Sequence, residues 1–222
     1  MIGCMNPLSR ILSRLLDIIL PKDPEVVALE ILALKGNLRS LTKASDLPHS
    51  YMKSLFHYKD SRVRTLVWQI KYAGNRKITC AVATLLSEEI ISFFEERGGF
   101  TSKNWLLVPI PASKKHLKEK GFSQTDRIAR AMMETEARAF VKYAPDMLVK
   151  VRETDAQVTI KNRGKRLLNL KNTYGTNNNQ ILIGTNVFII DDVITTGSTM
   201  LEARRALISA GAKQVICLAI AH

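Results

Sequence analysis

Val187-Phe188-Ile189-Ile190-Asp191-Asp192-Val193-Ile194-Thr195-Thr196-Gly197-Ser198-Thr199-Met200 holds both the centre of a fold and the outline of a chemical site. Its first four residues are apolar and mostly β-branched, the pattern of a strand buried on both faces of a parallel sheet. Thr195 to Thr199 then offer backbone N–H groups, hydroxyls and a helix start within one turn, which are the parts a phosphate needs. Asp191 and Asp192 stand at the strand's carboxyl end, where open α/β sheets bind ligands. A phosphate on the loop and a hydroxyl-bearing or metal-bound group beside the carboxylates together have the shape of a sugar phosphate. The plain alternative is a strand ending in a solvated acidic turn. No Gly-Lys-Ser/Thr follows a glycine-rich turn, so this is not a Walker loop.

Strands and helices alternate on either side of this run. Trp105 to Ile110 reads as an apolar strand, and Ser123 opens a helix to about Phe140 with Asp126 in the capping-box position. Met147 to Val151 reads as a strand, 152–180 as a long polar and basic segment, 199–210 as a helix closed by Gly211, and Gln214–Ala221 as the last strand. Earlier, helices are expected over Glu25 to Lys35, Arg62 to Tyr72 with a stop at Gly74, and Lys77 to Glu96. Residues 36–60 read as irregular. The alternation predicts an α/β fold, a mainly parallel sheet with helices on both faces, plus a helical N-terminal segment.

A length of 222 residues suits one α/β domain with an accessory segment. The 33 Lys+Arg against 20 Asp+Glu give a net charge of +13, a field that attracts polyanions such as diphosphates, nucleic acid or an anionic membrane. Cys4, Cys80 and Cys217 are far apart, which argues against a disulfide framework and a sequence-readable zinc site and fits a reducing cytoplasm. No apolar stretch reaches the ~18 residues of a membrane span. Leu8, Ile11, Leu12, Leu15, Leu16 and Ile19 recur at helical spacing, so residues 8–20 form an amphipathic helix in this reading. Packing on the domain is its expected use, with a surface membrane anchor as the minor alternative.

Two basic segments follow predicted strands. One contains Ala112, Ser113, Lys114, Lys115, His116, Lys118 and Lys120 behind the stiff Pro109-Ile110-Pro111 turn, and could neutralise a diphosphate leaving group. The other runs through Arg152, Gln157 and Arg166 to Asn169 and has the length of a functional lid. A solvated helix face is the plain reading of the first.

The run 187–200 resembles the phosphoribosyl-diphosphate (PRPP) signature of type I phosphoribosyltransferases. Lys71-Tyr72-Ala73-Gly74, Val108 to Pro111, Lys120-Gly121-Phe122-Ser123-Gln124, Arg152 to Gln157, Arg166 to Asn169 and Asp191 to Gly197 together resemble the ComF family of competence-associated, phosphoribosyltransferase-like proteins over about residues 50–222. The resemblance implies that Asp191 and Asp192 meet the ribose hydroxyls or magnesium, one bonding the sugar and the other bracing the loop. It implies that Thr195, Thr196, Gly197, Ser198 and Thr199 wrap the 5-phosphate. Ala112, Ser113, Lys114, Lys115 and Lys120 would face the diphosphate, and Lys71, Arg152, Gln157 and Arg166 would belong to a basic cover. The chain departs from the family in Lys120 for Arg, Ser123 for Asn and His116 where Arg is common, which loosens bidentate diphosphate contacts. Residues 1–50 offer only Cys4 in place of a four-cysteine zinc module.

The resulting expectation is a 1–60 helical segment without the zinc module, followed by a 61–222 phosphoribosyltransferase-like domain that binds Mg-PRPP. A role in natural competence and DNA uptake is implied, and neither an acceptor nor a general base is readable. The rival is a non-catalytic PRPP-responsive or single-stranded-DNA-binding competence factor, with competence proteins as further partners. The 6% aromatic content offers few stacking platforms for that role.

Overall fold

The computed structural model describes residues 23–45, 47, 49–98, 104–152 and 172–222. Its centre is a five-stranded, all-parallel sheet in the order β1-β7-β6-β2-β3, formed by β1 (Met52–Phe56), β2 (Trp105–Pro109), β3 (Lys142–Tyr143), β6 (Asn186–Val193) and β7 (Gln214–Ala221). The apolar run at 187–190 is the middle of the sheet, with Val187, Phe188, Ile189 and Ile190 all buried. Successive side chains of a strand point to opposite faces. Phe188 and Ile190 join one core with Trp105, Leu107 and the helices α1 (Pro24–Leu34), α2 (Ser61–Trp68), α3 (Arg76–Glu95) and α5 (Gln124–Met132). Val187 and Ile189 join the other core with α7 (Ser198–Ser209) and the antiparallel hairpin of β4 (Leu148–Lys150) and β5 (Tyr174–Thr176). Trp105 stacks on Phe188 at 4.6 Å between ring centroids, with Phe93 edge-on to both, so aromatic packing fixes the first layer.

Local chemistry explains most boundaries. Pro24 begins α1 behind the Asp23 cap, Asp60 caps α2, Asn75 caps α3 and Ser123 caps α5. Beyond α2 the chain widens into a π-helical turn, Gln69–Ala73, that ends at Gly74 in the left-handed region.

Several sequence expectations need correction. The stretch 36–60, read as irregular, contains a 3-10 turn (Asn37–Ser40) and the edge strand β1, whose Met52–Phe56 pairs with β7. The expected strand at 147–151 lies outside the main sheet, as β4 paired with β5 from the segment read as wholly polar and basic, which also holds the short helix α6 (Asn179–Leu182). The helix expected to reach Phe140 stops at Met132, because the Thr135 hydroxyl donates to the Met132 carbonyl at 2.6 Å and the chain restarts as a 3-10 turn, Glu136–Ala139. The basic loop after β2 is a short helix, α4 (Lys114–Lys120), capped by Ser113 and stopped by Gly121 at φ 73°. The amphipathic pattern at 8–20 lies outside the described residues. Among the described residues, no helix is long and apolar enough to cross a membrane.

Candidate functional site

Adjacent strands β2 and β6 send their chains to opposite faces of the sheet. The connection from β2 leads to α5 on the first core, and the connection from β6 leads to α7 on the second. A crevice opens between carboxyl ends where such connections diverge, the topological switch point of an open α/β sheet. Ile110 donates its N–H to the Ile190 carbonyl at 2.9 Å, so the two strand ends stay paired where their connections part. Pro111 to Ser113 leave one lip, and Asp191 to Gly197 form the other.

The two aspartates differ. Asp192 is buried, 6% exposed, and its carboxylate is heavily engaged. Its Oδ2 lies 2.9 Å from Lys71 Nζ and accepts from Gln124 Nε2 at 3.2 Å, while Oδ1 accepts the Val193 N–H at 2.7 Å. Asp191 is half-buried, and its Oδ1 accepts the Asp192 N–H at 2.9 Å. Burial, then the neighbouring charge of Asp192, push the Asp191 carboxyl well above the ordinary carboxylate range, against the opposing pull of the Asp192 N–H and Lys71. For Lys71, burial works against the charge, but Asp192 more than offsets it and holds the ammonium protonated.

The loop beyond presents donors. Thr195 is exposed and Thr196 half-buried, and Gly197 sits at φ 75°, a conformation that costs a side chain about 1–2 kcal/mol. The backbone N–H groups of Thr195, Thr196 and Gly197 donate to no described group, and they gather at the N-terminus of the twelve-residue helix α7. The Thr196 and Ser198 hydroxyls are 2.6 Å apart, and Thr199 follows, half-buried, in the first turn. Backbone donors plus the positive end of a helix form an anion cradle.

The remaining candidates scatter. Ala112 and Ser113 line the other lip, where the Ser113 hydroxyl accepts the His116 N–H at 3.1 Å. Lys114 is exposed at the start of α4, and the side chains of Lys115 and Lys120 lie outside the described set. Arg152 is exposed beside the β4–β5 hairpin, its N–H donating to Thr173 O at 3.3 Å. Gln157 and Arg166 lie outside the described residues.

Gln124 is not among the site residues that the sequence predicts, and the structure gives it a central place. Helix α5 begins with it, and its Nε2 reaches Asp192 while its Oε1 is buried without a partner among the described groups. Two distant motifs meet here. The Arg127 guanidinium lies 3.3 Å from the centroid of the Phe122 ring, and its Nη1 stands 2.5 Å from where a Cβ on Gly74 would be. The turn that carries Lys71 is thereby set against the start of α5.

An all-parallel sheet with the acidic strand end and phosphate-type loop at its switch point defines a type I phosphoribosyltransferase-like α/β protein. A family profile described as phosphoribosyl transferase domain matches residues 120–222. Competence protein ComFC of Bacillus subtilis (strain 168) is 28% identical over 159 residues, 72% of this chain and 58% of that protein. DNA utilization protein YhgH of Salmonella typhimurium is 31% identical over 155 residues, 69% of this chain and 65% of its own length. The chain is similar to these two proteins over about seven tenths of its length, and its match spans 58% to 65% of the length of these curated relatives. Among solved structures, glutamine PRPP amidotransferase from B. subtilis aligns with a TM-score of 0.40 and 15% identity over 69% of this chain and 30% of that one, a likeness too loose to add weight.

Proposed function

We propose that the crevice binds PRPP with magnesium and that the chain is a phosphoribosyltransferase-type protein serving DNA uptake or utilization. The observation that carries this is the juxtaposition of uncommitted N–H groups at Thr195, Thr196 and Gly197 with the Asp191–Asp192 pair at the sheet's switch point. In this reading the 5-phosphate sits on residues 195–199 and the ribose diol faces Asp191. Asp192 is the brace, since its oxygens are already held by Lys71, Gln124 and Val193. Ala112, Ser113, Lys114, Lys115 and Lys120 face the diphosphate, and Arg152, Gln157 and Arg166 contribute to the cover. Lys71 belongs to the floor of the site as well as to its basic rim.

The donor set suits a metal that arrives with its ligand. Among the described residues no cluster of three or more His, Cys, Asp or Glu could hold a resident ion. Asp191 with Asp192 behind it would supply one or two oxygens, which fits magnesium's preference for water and substrate oxygens over an all-protein cage. When bound, magnesium offsets charge on the diphosphate oxygens. The chain's own part is to grip both phosphate ends and exclude water while the bond from the anomeric carbon to diphosphate weakens. A DNA-related role enters through the names of the relatives ComFC and YhgH.

Calorimetric titration with PRPP, with and without magnesium, tests the reading. Saturable, metal-dependent binding that is lost in Asp191→Asn and weakened in Gly197→Ala supports it. No saturable binding in either buffer ends it.

A further inference from the structure

Every exposed residue of helix α1 is apolar. Pro24, Val27, Ala28, Ile31 and Leu34 face outward, with Val27 at 41%, Ile31 at 45% and Leu34 at 69% exposure. The inner side is filled in the ordinary way. Val26 and Leu29 are buried, and Leu32 and Ala33 pack against the first core. Both acidic side chains of the helix are directed at its neighbours. Glu25 accepts the Thr65 hydroxyl at 2.8 Å, and Glu30 accepts from Asn75 Nδ2 at 2.9 Å and lies 3.0 Å from Lys77 Nζ. A helix that is apolar all round is normally covered on every side. Val27, Ile31 and Leu34 follow the i, i+4, i+7 spacing that lays side chains along one line, so the open side is a continuous stripe.

A matching stripe lies next to it in the chain. Residues 1–22 are outside the described set, and Asp23, the cap of α1, is the first described residue. In that stretch Leu8, Ile11, Leu12, Leu15, Leu16 and Ile19 recur at helical spacing, with Arg10, Arg14 and Asp17 on the other side of the wheel. Pro21 ends the pattern, so only Pro21, Lys22 and Asp23 separate it from α1. Two helices joined by so short a link fold back as an antiparallel pair. At about 1.5 Å per residue, a helix over 8–20 spans about 20 Å and α1 about 16 Å, so the one can cover the other from end to end.

We infer that the Val27–Ile31–Leu34 face of α1 is the docking site of the chain's own residues 8–20, laid antiparallel as a helix with Leu16 opposite Val27, Leu12 opposite Ile31 and Leu8 beside Leu34. The tether selects this occupant. A segment held by so short a link has an effective concentration in the roughly millimolar range, above what a second copy ordinarily reaches in solution. A lipid surface is a poorer match, because helices that lie on anionic membranes place Lys and Arg beside their apolar face, and Pro24–Leu34 contains neither. The pairing also bears on the crevice. Glu30 ties α1 to Asn75 and Lys77, and the Asn75 N–H donates to the Gln69 carbonyl at 3.1 Å, at the start of the π-helical turn. That turn carries Lys71 to Asp192, so the docked segment buttresses the wall behind the brace. The inference concerns a surface away from the sugar-phosphate site and does not rest on that reading.

Disulfide trapping in the full chain tests it. In a background of Cys4→Ser and Cys80→Ser, with buried Cys217 left in place, Leu12→Cys is paired with Ile31→Cys. The control pairs Arg14→Cys, from the polar side, with Ile31→Cys. A disulfide needs Cβ atoms about 4 Å apart, so mild oxidation should bridge the first pair within the monomer and leave the control largely open. Thermal melts give a second readout. Leu12→Asp should lower Tm by about 4–8 °C in the parent chain and by less than about 2 °C once Ile31→Asp is present. A disulfide-linked dimer in place of the internal bridge would overturn the inference in favour of a second copy. Flotation with phosphatidylglycerol vesicles that Ile31→Asp abolishes would replace it with a lipid surface. Equal bridging of both pairs, bridging of neither, or additive losses of Tm would also refute it. PRPP is absent from every arm, so this outcome and that of the PRPP titration are read separately.

Discussion

Replacing Lys71 with Met keeps most of the side chain's bulk and removes its charge from Asp192. At 2.9 Å and an effective dielectric of about 20, the Coulomb attraction between the two is about 6 kcal/mol before desolvation is subtracted. Removing one partner of a fully buried pair typically costs roughly 3–5 kcal/mol. Lys71 keeps 32% of its side chain in water, and Asp192 retains Gln124 and the Val193 N–H, so screening and residual bonds shrink the loss. The expected cost is about 2 kcal/mol, or about 4–8 °C in Tm for a domain of this size. The measurement is urea unfolding followed by circular dichroism for Lys71→Met, Asp192→Asn and the double variant. If the pair is real, Lys71→Met costs less than about 0.5 kcal/mol in the Asp192→Asn background. Equal cost in both backgrounds, or none in either, would refute the reasoning.

Other outcomes follow from single groups. Protonated Asp191 contributes stability that is complete below the ordinary carboxylate range and is lost as pH rises through its raised value, so Asp191→Asn should raise Tm at neutral and mildly alkaline pH and leave it unchanged in acid. Thermal melts at both pH values check this, and a lowered Tm at neutral pH would count against it. Gly74→Ala forces a side chain into φ 62° and onto Arg127, so it should cost about 1–2 kcal/mol in unfolding experiments. Burial pushes the Cys217 thiol up to about 12, with Arg204 opposing and Asp191 assisting; Cys80 is exposed. A thiol reagent at mildly alkaline pH should therefore modify Cys80 in the native protein and reach Cys217 only after denaturation, as peptide mass mapping would show.

The centre of the molecule was legible because its chemistry is local. An apolar, mostly β-branched run fits a strand buried on both faces, and the small-residue turn after it fits the start of a helix. β1 escaped notice because Met52–Phe56 buries only its two ends fully, with Lys53, Ser54 and Leu55 partly exposed beside an open edge. The 142–143 strand is too short to carry a period. Met147–Val151 looked like its neighbours because alternation says that a segment is extended and not which sheet it joins. α4 read as a loop because Lys114–Lys120 lacks an apolar stripe, although Ser113 and Gly121 spell its two caps. At the site, Asp191, Asp192 and the loop could be found within one stretch of sequence. The bonds from Lys71 and Gln124 to Asp192 could not, since they join residues from three separate segments, and only the folded chain brings them within 3.2 Å.

The saturation of Asp192 also bears on what the crevice ignores. Paired carboxylates open to solvent tend to collect divalent ions. Here the ammonium of Lys71 already serves as the counter-ion, so a hydrated cation wandering in from solvent finds at most Asp191 to hold it. Divalent ions should therefore enter as passengers on a molecule that brings oxygens of its own.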